Sequence, residues 1–207
     1  MVQARPNGKG NESFTERLKE ISRFFAGCSQ VHKAMRRLVA RLKRFEVPYT
    51  IVGGMAVNAH GHQQTTDDVD LLLTAENFTR IEGLFLRTKY NPAPDRRQRF
   101  FDRINGVLLD IVITGKSAGG WRGSPITYPD PSVVSETIDK IAYVNLKTLV
   151  ELKLASRRYR DLGDVGALIA VHDLDESFMK QLHPALHNDY RFCLNEKRRE
   201  EEYEARQ

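Results

Sequence analysis

The segment 53–73, GGMAVNAHGHQQTTDDVDLLL, opens on two glycines and closes on Asp68-Val69-Asp70 and a run of leucines. In a strand alternate side chains share a face, so Asp68 and Asp70 present both carboxylates to one side while Val69 turns into packing. Their Cα atoms then stand roughly 6.5 to 7 Å apart. With one more carboxylate from a neighbouring strand, such a pair brackets two Mg²⁺ ions about 4 Å apart, each needing hard oxygen ligands. Asp110 is the candidate third ligand. The run Val107–Ile113 surrounds it with apolar residues, where an uncompensated charge is costly. The competing account of Asp110 is an ion pair with Arg99 or Arg103. Gly53 and Gly54 let the backbone turn tightly between a strand and a helix and let a phosphate approach bare N–H groups. Glycine turn and carboxylates together suit a metal-chelated nucleoside triphosphate, the turn taking the outer phosphates and the metals spanning the reacting one.

These residues need elements to hold them. Tyr49–Val52 reads as a short strand, Met55–His60 as a helix start, and Val69–Leu73 as a buried strand. Thr74 is a helix N-cap, with Phe78, Ile81, Leu84 and Phe85 facing inward over 76–88. Segments 97–104 and 107–113 form a hairpin about Asn105-Gly106. The Gly-, Ser- and Pro-rich stretch 114–131 is a loop, with a short strand over 126–128 and a glycine cluster at 119–123 able to close over a substrate. Gly115-Lys116-Ser117 is no phosphate-binding P-loop, because the position that needs glycine holds Asp110. Two helices, 14–26 and 30–46, precede the core. The second buries Val31, Met35, Leu38, Val39, Leu42 and Phe45 at the helical period and carries Lys33, Arg36, Arg37, Arg41, Lys43 and Arg44 elsewhere. That cluster is either solvated or tracks a phosphate backbone. Helices built on Leu146–Leu154 and Leu162–Ile169 follow, and EKRREEEYEARQ ends the chain as a solvated helical tail.

Gly53-Gly54, His60-Gly61, then Thr66, Asp68, Asp70 and Leu71, with Asp110 in a later strand, resemble the nucleotidyltransferase superfamily with its DNA polymerase beta-like fold. The form is similar to AbiEii-like toxins and minimal bacterial nucleotidyltransferases. The resemblance spans about residues 47–170 and takes in Lys153, Arg160, Asp161 and Asp164 of a helical segment beside the cleft. It implies a mixed α/β (α+β) fold, with a small mixed central sheet flanked by helices. It also implies Asp68, Asp70 and Asp110 as catalytic metal ligands for Mg²⁺ or Mn²⁺, and Gly53, Gly54, Thr66 and Lys153 as nucleotide contacts. Asp110 would also take the acceptor's proton. A nucleoside triphosphate is the implied donor. The acceptor is a hydroxyl of tRNA, of a protein or of a small molecule such as an aminoglycoside, and a toxin–antitoxin setting brings an antitoxin partner. One position departs from the pattern: Gln64 stands where such sequences often carry Arg, leaving His62 or Lys153 as substitutes.

The 207 residues, 41% of them apolar, fit one main domain. Its parts are a mobile tail (1–12), helices packing on the core (13–46), the core (47–135), and a helical C-terminal region with its charged tail (136–207). Cys28 and Cys193 match no metal or redox spacing and read as structural, buried or partly buried thiols. No segment has the length of a membrane span and the start lacks a signal-peptide core, so the chain is expected to be cytoplasmic, without membrane partners. The net charge of +5 and pI near 9.2 favour an anionic partner weakly. Two further readings stand beside the enzyme: a non-catalytic nucleotide- or partner-binding member of the same fold, and a plain RNA-binding protein whose binding survives loss of the carboxylates.

Overall fold

The computed structural model describes residues 13–120 and 123–207; the expected tail at 1–12 lies outside them. Helix α1 (Phe14–Phe25) starts at a reciprocal capping box between Ser13 and Glu16, and α2 (Gln30–Arg44) is capped by Ser29. The apolar stripe of α2 is buried from Val31 to Leu42, as its periodicity requires.

Strand β1 (Thr50–Val52) runs straight into α3 (Gly53–Ala59), and β2 (Asp68–Leu73) follows. Helix α4 (Ala75–Ile81) is capped by Thr74, passes through a π-helical turn at Glu82–Leu86 and ends as α5 (Arg87–Lys89). The wider π turn rotates the apolar face, so Phe85 and Leu86 are buried while Leu84, expected inside, is exposed.

Strands β3 (Tyr90–Pro92), β4 (Arg99–Asp102) and β5 (Leu108–Ile113) come next, β4 and β5 joined at the Asn105-Gly106 turn, where Gly106 has φ +65°. After the loop come α6 (Pro131–Val134) and the hairpin β6 (Ser135–Ile138) and β7 (Ile141–Val144). Helices α7 (Leu146–Ser156), α8 (Tyr159–Val171), α9 (Glu176–Met179) and α10 (His187–Glu204) complete the chain.

The seven strands form one mixed sheet in the order β3-β4-β5-β2-β1-β7-β6. Central β2 pairs parallel with β5 and antiparallel with β1, which pairs parallel with β7. Leu71, Ile51 and Tyr143 share one face through the register, and the Tyr143 hydroxyl reaches Met35 Sδ at 3.7 Å, so α2 covers that face. Asp68 and Asp70 point to the other face, toward α7 and α8. Cys193 is buried as expected, whereas Cys28 is exposed in the short link between α1 and α2.

Candidate active site

The register assembles the site in one row across four strands. Arg99 of β4 stands opposite Asp110 of β5, Asp110 opposite Asp70 of β2, and Asp70 opposite Val52 of β1, the residue before Gly53. Asp68 lies one pleat along β2 on the same face. The three carboxylates expected from the sequence therefore share a face, each half-buried.

Each is held differently. Thr66 Oγ1 donates to Asp68 Oδ1 at 2.6 Å, so this threonine orients a carboxylate directly. Asp110 Oδ2 accepts from Arg99 Nε at 3.0 Å, and Arg99 Nη1 also donates to Asp95 Oδ2 at 2.8 Å. Asp70 has no such partner among the described residues. Burial first, then the charges of Asp68 and Asp110, push its carboxyl up to about 8, against the opposing pull of Lys153 and Arg158.

The double glycine serves this carboxylate. Gly53 has φ +66°, and a Cβ there would stand 1.8 Å from Asp70 Oδ2. A Cβ on Gly54 would meet Thr66 Cβ and Oγ1 at 3.0 Å. Both positions leave room for site side chains at the backbone, a requirement distinct from the phosphate approach that the glycine turn suggests by itself. The following loop is fixed by Asn58, whose side chain bonds both the N–H and the C=O of Gln64.

Across the cleft, Asp70 and Gly53 face Tyr128, Lys153, Ser156, Arg158 and Asp161. Lys153 is buried, and its ammonium donates to Asp161 at 2.8 Å and to Asp164. Asp161 also accepts from Arg158 Nε and from the Ser156 hydroxyl. These bonds hold the Asp161 carboxyl below its ordinary value, although burial pushes the other way. The charge of Lys153 is thus spent within the protein, and Arg158 is the guanidinium at the cleft mouth. Arg160, named by the resemblance, is exposed and lines no part of the cleft. Burial, and then the charge of Asp70, push the Tyr128 phenol up to about 12, so it stays a hydrogen-bond donor at neutral pH.

Two further expectations resolve on contacts. His60 is buried with Nε2 at 2.7 Å from the Val144 carbonyl, which makes it a strut between α3 and β7. The basic residues of α2 are largely engaged within the fold: Arg37 with Asp102 and Asn105, Arg41 with Tyr90, and Lys43 with the Lys140 carbonyl. A groove of about 420 Å³ between residues 125–127, the start of α7 and residues 181–183 contains none of the three carboxylates.

No family model matches the sequence, and no curated protein matches it. Solved structures do. The crystal structure of ANT(2")-Ia in complex with adenylyl-2"-tobramycin aligns with a TM-score of 0.52 at 14% identity, covering 77% of this chain and 95% of that one. The solution structure of the antibiotic-resistance factor ANT(2'')-Ia aligns with a TM-score of 0.50 at 13% identity, covering 82% of this chain and 95% of that one. The chain has the nucleotidyltransferase fold.

Within that fold, the donor set suits a hard divalent cation. Three carboxylates crowd one face, and Asp70, pushed up by burial and by the charges of the other two, resists ionising. Among the described residues no three His, Cys, Asp or Glu side chains already converge as a metal cage, and Asp110 is bonded to Arg99. Sequence reading reaches the carboxylates and Arg99 as a partner for Asp110. It misses Tyr128 and Arg158, which the loop and the α7–α8 turn bring in from far along the chain.

Proposed function

We propose that the protein is a metal-dependent nucleotidyltransferase that moves a nucleoside monophosphate from a triphosphate to a hydroxyl acceptor. The observation that carries the reading is Asp70. It is half-buried between two other carboxylates and against Gly53, it has no hydrogen-bonded cation among the described residues, and its carboxyl is held far from its ordinary range. A fold retains such a cluster at a cost, and cation binding is the function that recovers it.

Asp68 and Asp70 would hold Mg²⁺ or Mn²⁺, joined by Asp110 on the acceptor side. Bound there, divalent cations supply charge neutralisation on the transferring phosphoryl group and acidify the acceptor hydroxyl. Asp110 takes the hydroxyl proton; the acceptor oxygen bonds to the α-phosphorus as the bond from that phosphorus to pyrophosphate breaks. Thr66 fixes the Asp68 rotamer. Arg158 and the protonated Tyr128 line the wall opposite Asp70, where Arg158 would supply to the phosphates the positive charge that Gln64 lacks. Lys153 acts through Asp161 by keeping Arg158 at the cleft.

The acceptor we favour is a small molecule. The basic helix α2 lies on the opposite face from the carboxylates, and its Arg37 and Arg41 are engaged internally, which weakens the main argument for RNA. Protein acceptors, and a toxin role with an antitoxin partner, stay within the same chemistry. The test is incubation with each α-³²P-labelled triphosphate, Mg²⁺ or Mn²⁺, and fractionated RNA, protein and small-molecule extracts, beside an Asp68→Asn, Asp70→Asn double variant. Label transferred by the wild type alone supports the proposal, and the labelled fraction names the acceptor class. A single observation favours the second reading, a non-catalytic nucleotide-binding member: Asp110 is already paired with Arg99. That reading is upheld by nucleotide binding without transfer in any fraction.

A further inference from the structure

The row Arg99–Asp110–Asp70 contains one cation, and that cation serves only the outermost carboxylate. Arg99 reaches the row from the strand beyond Asp110. Arg99 is also bound at both ends of its guanidinium: Nε donates to Asp110 inside the row, and Nη1 to Asp95, four residues away and more than half exposed. Asp110 is 16% exposed and Arg99 26%, so breaking the inner bond without a replacement leaves a half-buried charge uncovered.

From this geometry we infer that Arg99 is a built-in counter-ion that occupies Asp110 until a divalent cation replaces it, and that Asp95 retains the guanidinium when it lets go. The inference rests on the metal-binding reading above and assigns a positioning role to two residues that touch no substrate. The exchange leaves neither Asp110 nor Arg99 without a partner. Before it, Arg99 neutralises Asp110; after it, Asp110 joins Asp68 and Asp70 around the cation and Arg99 pairs with Asp95 alone. A purely structural pair, tying β4 to β5, would have no reason to separate.

Direct Mn²⁺ binding, measured by electron paramagnetic resonance of the free ion over the nucleotide-free protein, tests the exchange without activity. Arg99→Gln removes the competitor for Asp110, so Mn²⁺ should bind tighter on the order of tenfold, the scale of a charge-assisted hydrogen bond that no longer has to break. Asp95→Asn, at an exposed position that leaves the fold intact, removes the retaining partner and should weaken Mn²⁺ binding by about two- to threefold. In arginine-labelled wild-type protein, the Arg99 Nε–H resonance should shift on titration with Mg²⁺. Unchanged or weaker Mn²⁺ binding by Arg99→Gln, or a stationary Arg99 resonance while the protein binds metal, overturns the inference and leaves the metal-binding reading standing. Wild type and Arg99→Gln that both fail to bind Mn²⁺ overturn the two together. Misfolding of Arg99→Gln, visible by circular dichroism, leaves Asp95→Asn and the resonance to decide.

Discussion

Two clusters of acidic side chains face each other across the cleft, and their charge balance differs. On the α7–α8 side, Asp161 and Asp164 are buried deeply, yet Lys153 bonds both and Arg158 and Ser156 add to Asp161. On the sheet side, Asp68, Asp70 and Asp110 are less buried, and among the described residues the single guanidinium bonded to them covers Asp110. The first cluster is complete within the chain; the second is short of positive charge. Burial alone therefore does not mark the site. The missing partner does, because a structural cluster is satisfied by its own fold while a binding cluster waits for a ligand.

Removing the cation from the balanced cluster should have the largest effect. Lys153→Met strips Asp164 of its cation and leaves Asp161 with Arg158 alone, and should cost about 3–5 kcal/mol of stability, read as a lower urea midpoint. A loss below about 1 kcal/mol would erase the distinction between the clusters.

Gly53→Ala comes next. It combines a left-handed backbone position with a methyl group placed on Asp70 Oδ2, and should cost about 1–3 kcal/mol together with most of the transferase activity. Gly54→Ala, whose Cβ meets only the Thr66 side chain, should be milder in the same denaturation assay.

The unbalanced cluster should respond in the opposite direction to Lys153. Asp70→Asn replaces a carboxyl that the metal-free fold must hold protonated, so melting in a chelator should rise by a few degrees at neutral pH while nucleotidyl transfer is lost. The pH dependence fixes the sign. With its pKa raised to about 8, folded Asp70 keeps a proton that the unfolded chain releases near its ordinary value of 3.8. Wild-type stability contributed by this group is therefore full below that lower value and declines as pH rises toward 8, and the Asn variant lacks this slope. The smallest effect belongs to α2: Lys33→Gln with Arg36→Gln should leave both stability and transfer unchanged within error. Lost transfer there would return RNA to the front of the acceptor classes.

Much of this was legible in the sequence because it is local. Alternation in Asp68–Leu73 placed two carboxylates on one face, Asn105-Gly106 set the hairpin that brings Arg99 opposite Asp110, and Thr74 caps the helix its position announces. The hairpin β6–β7 escaped notice because Asp139 and Lys140, not glycine, take the positive-φ turn positions. The fate of Lys153 was hidden for a different reason. Helical spacing places it beside the cleft but says nothing of Asp161 and Asp164, which reach it only once α8 folds back on α7. Arg158 and Tyr128 share that obscurity, since their roles depend on where a chain turn and a loop come to rest.

The most direct measurement of the central claim is calorimetric titration of Mn²⁺ into the wild type and into Asp70→Asn. Binding by the wild type and its loss in a folded, more stable variant is the expected result. Equal binding by the two proteins would show that the unbalanced carboxylates are not the cation site and would contradict the account.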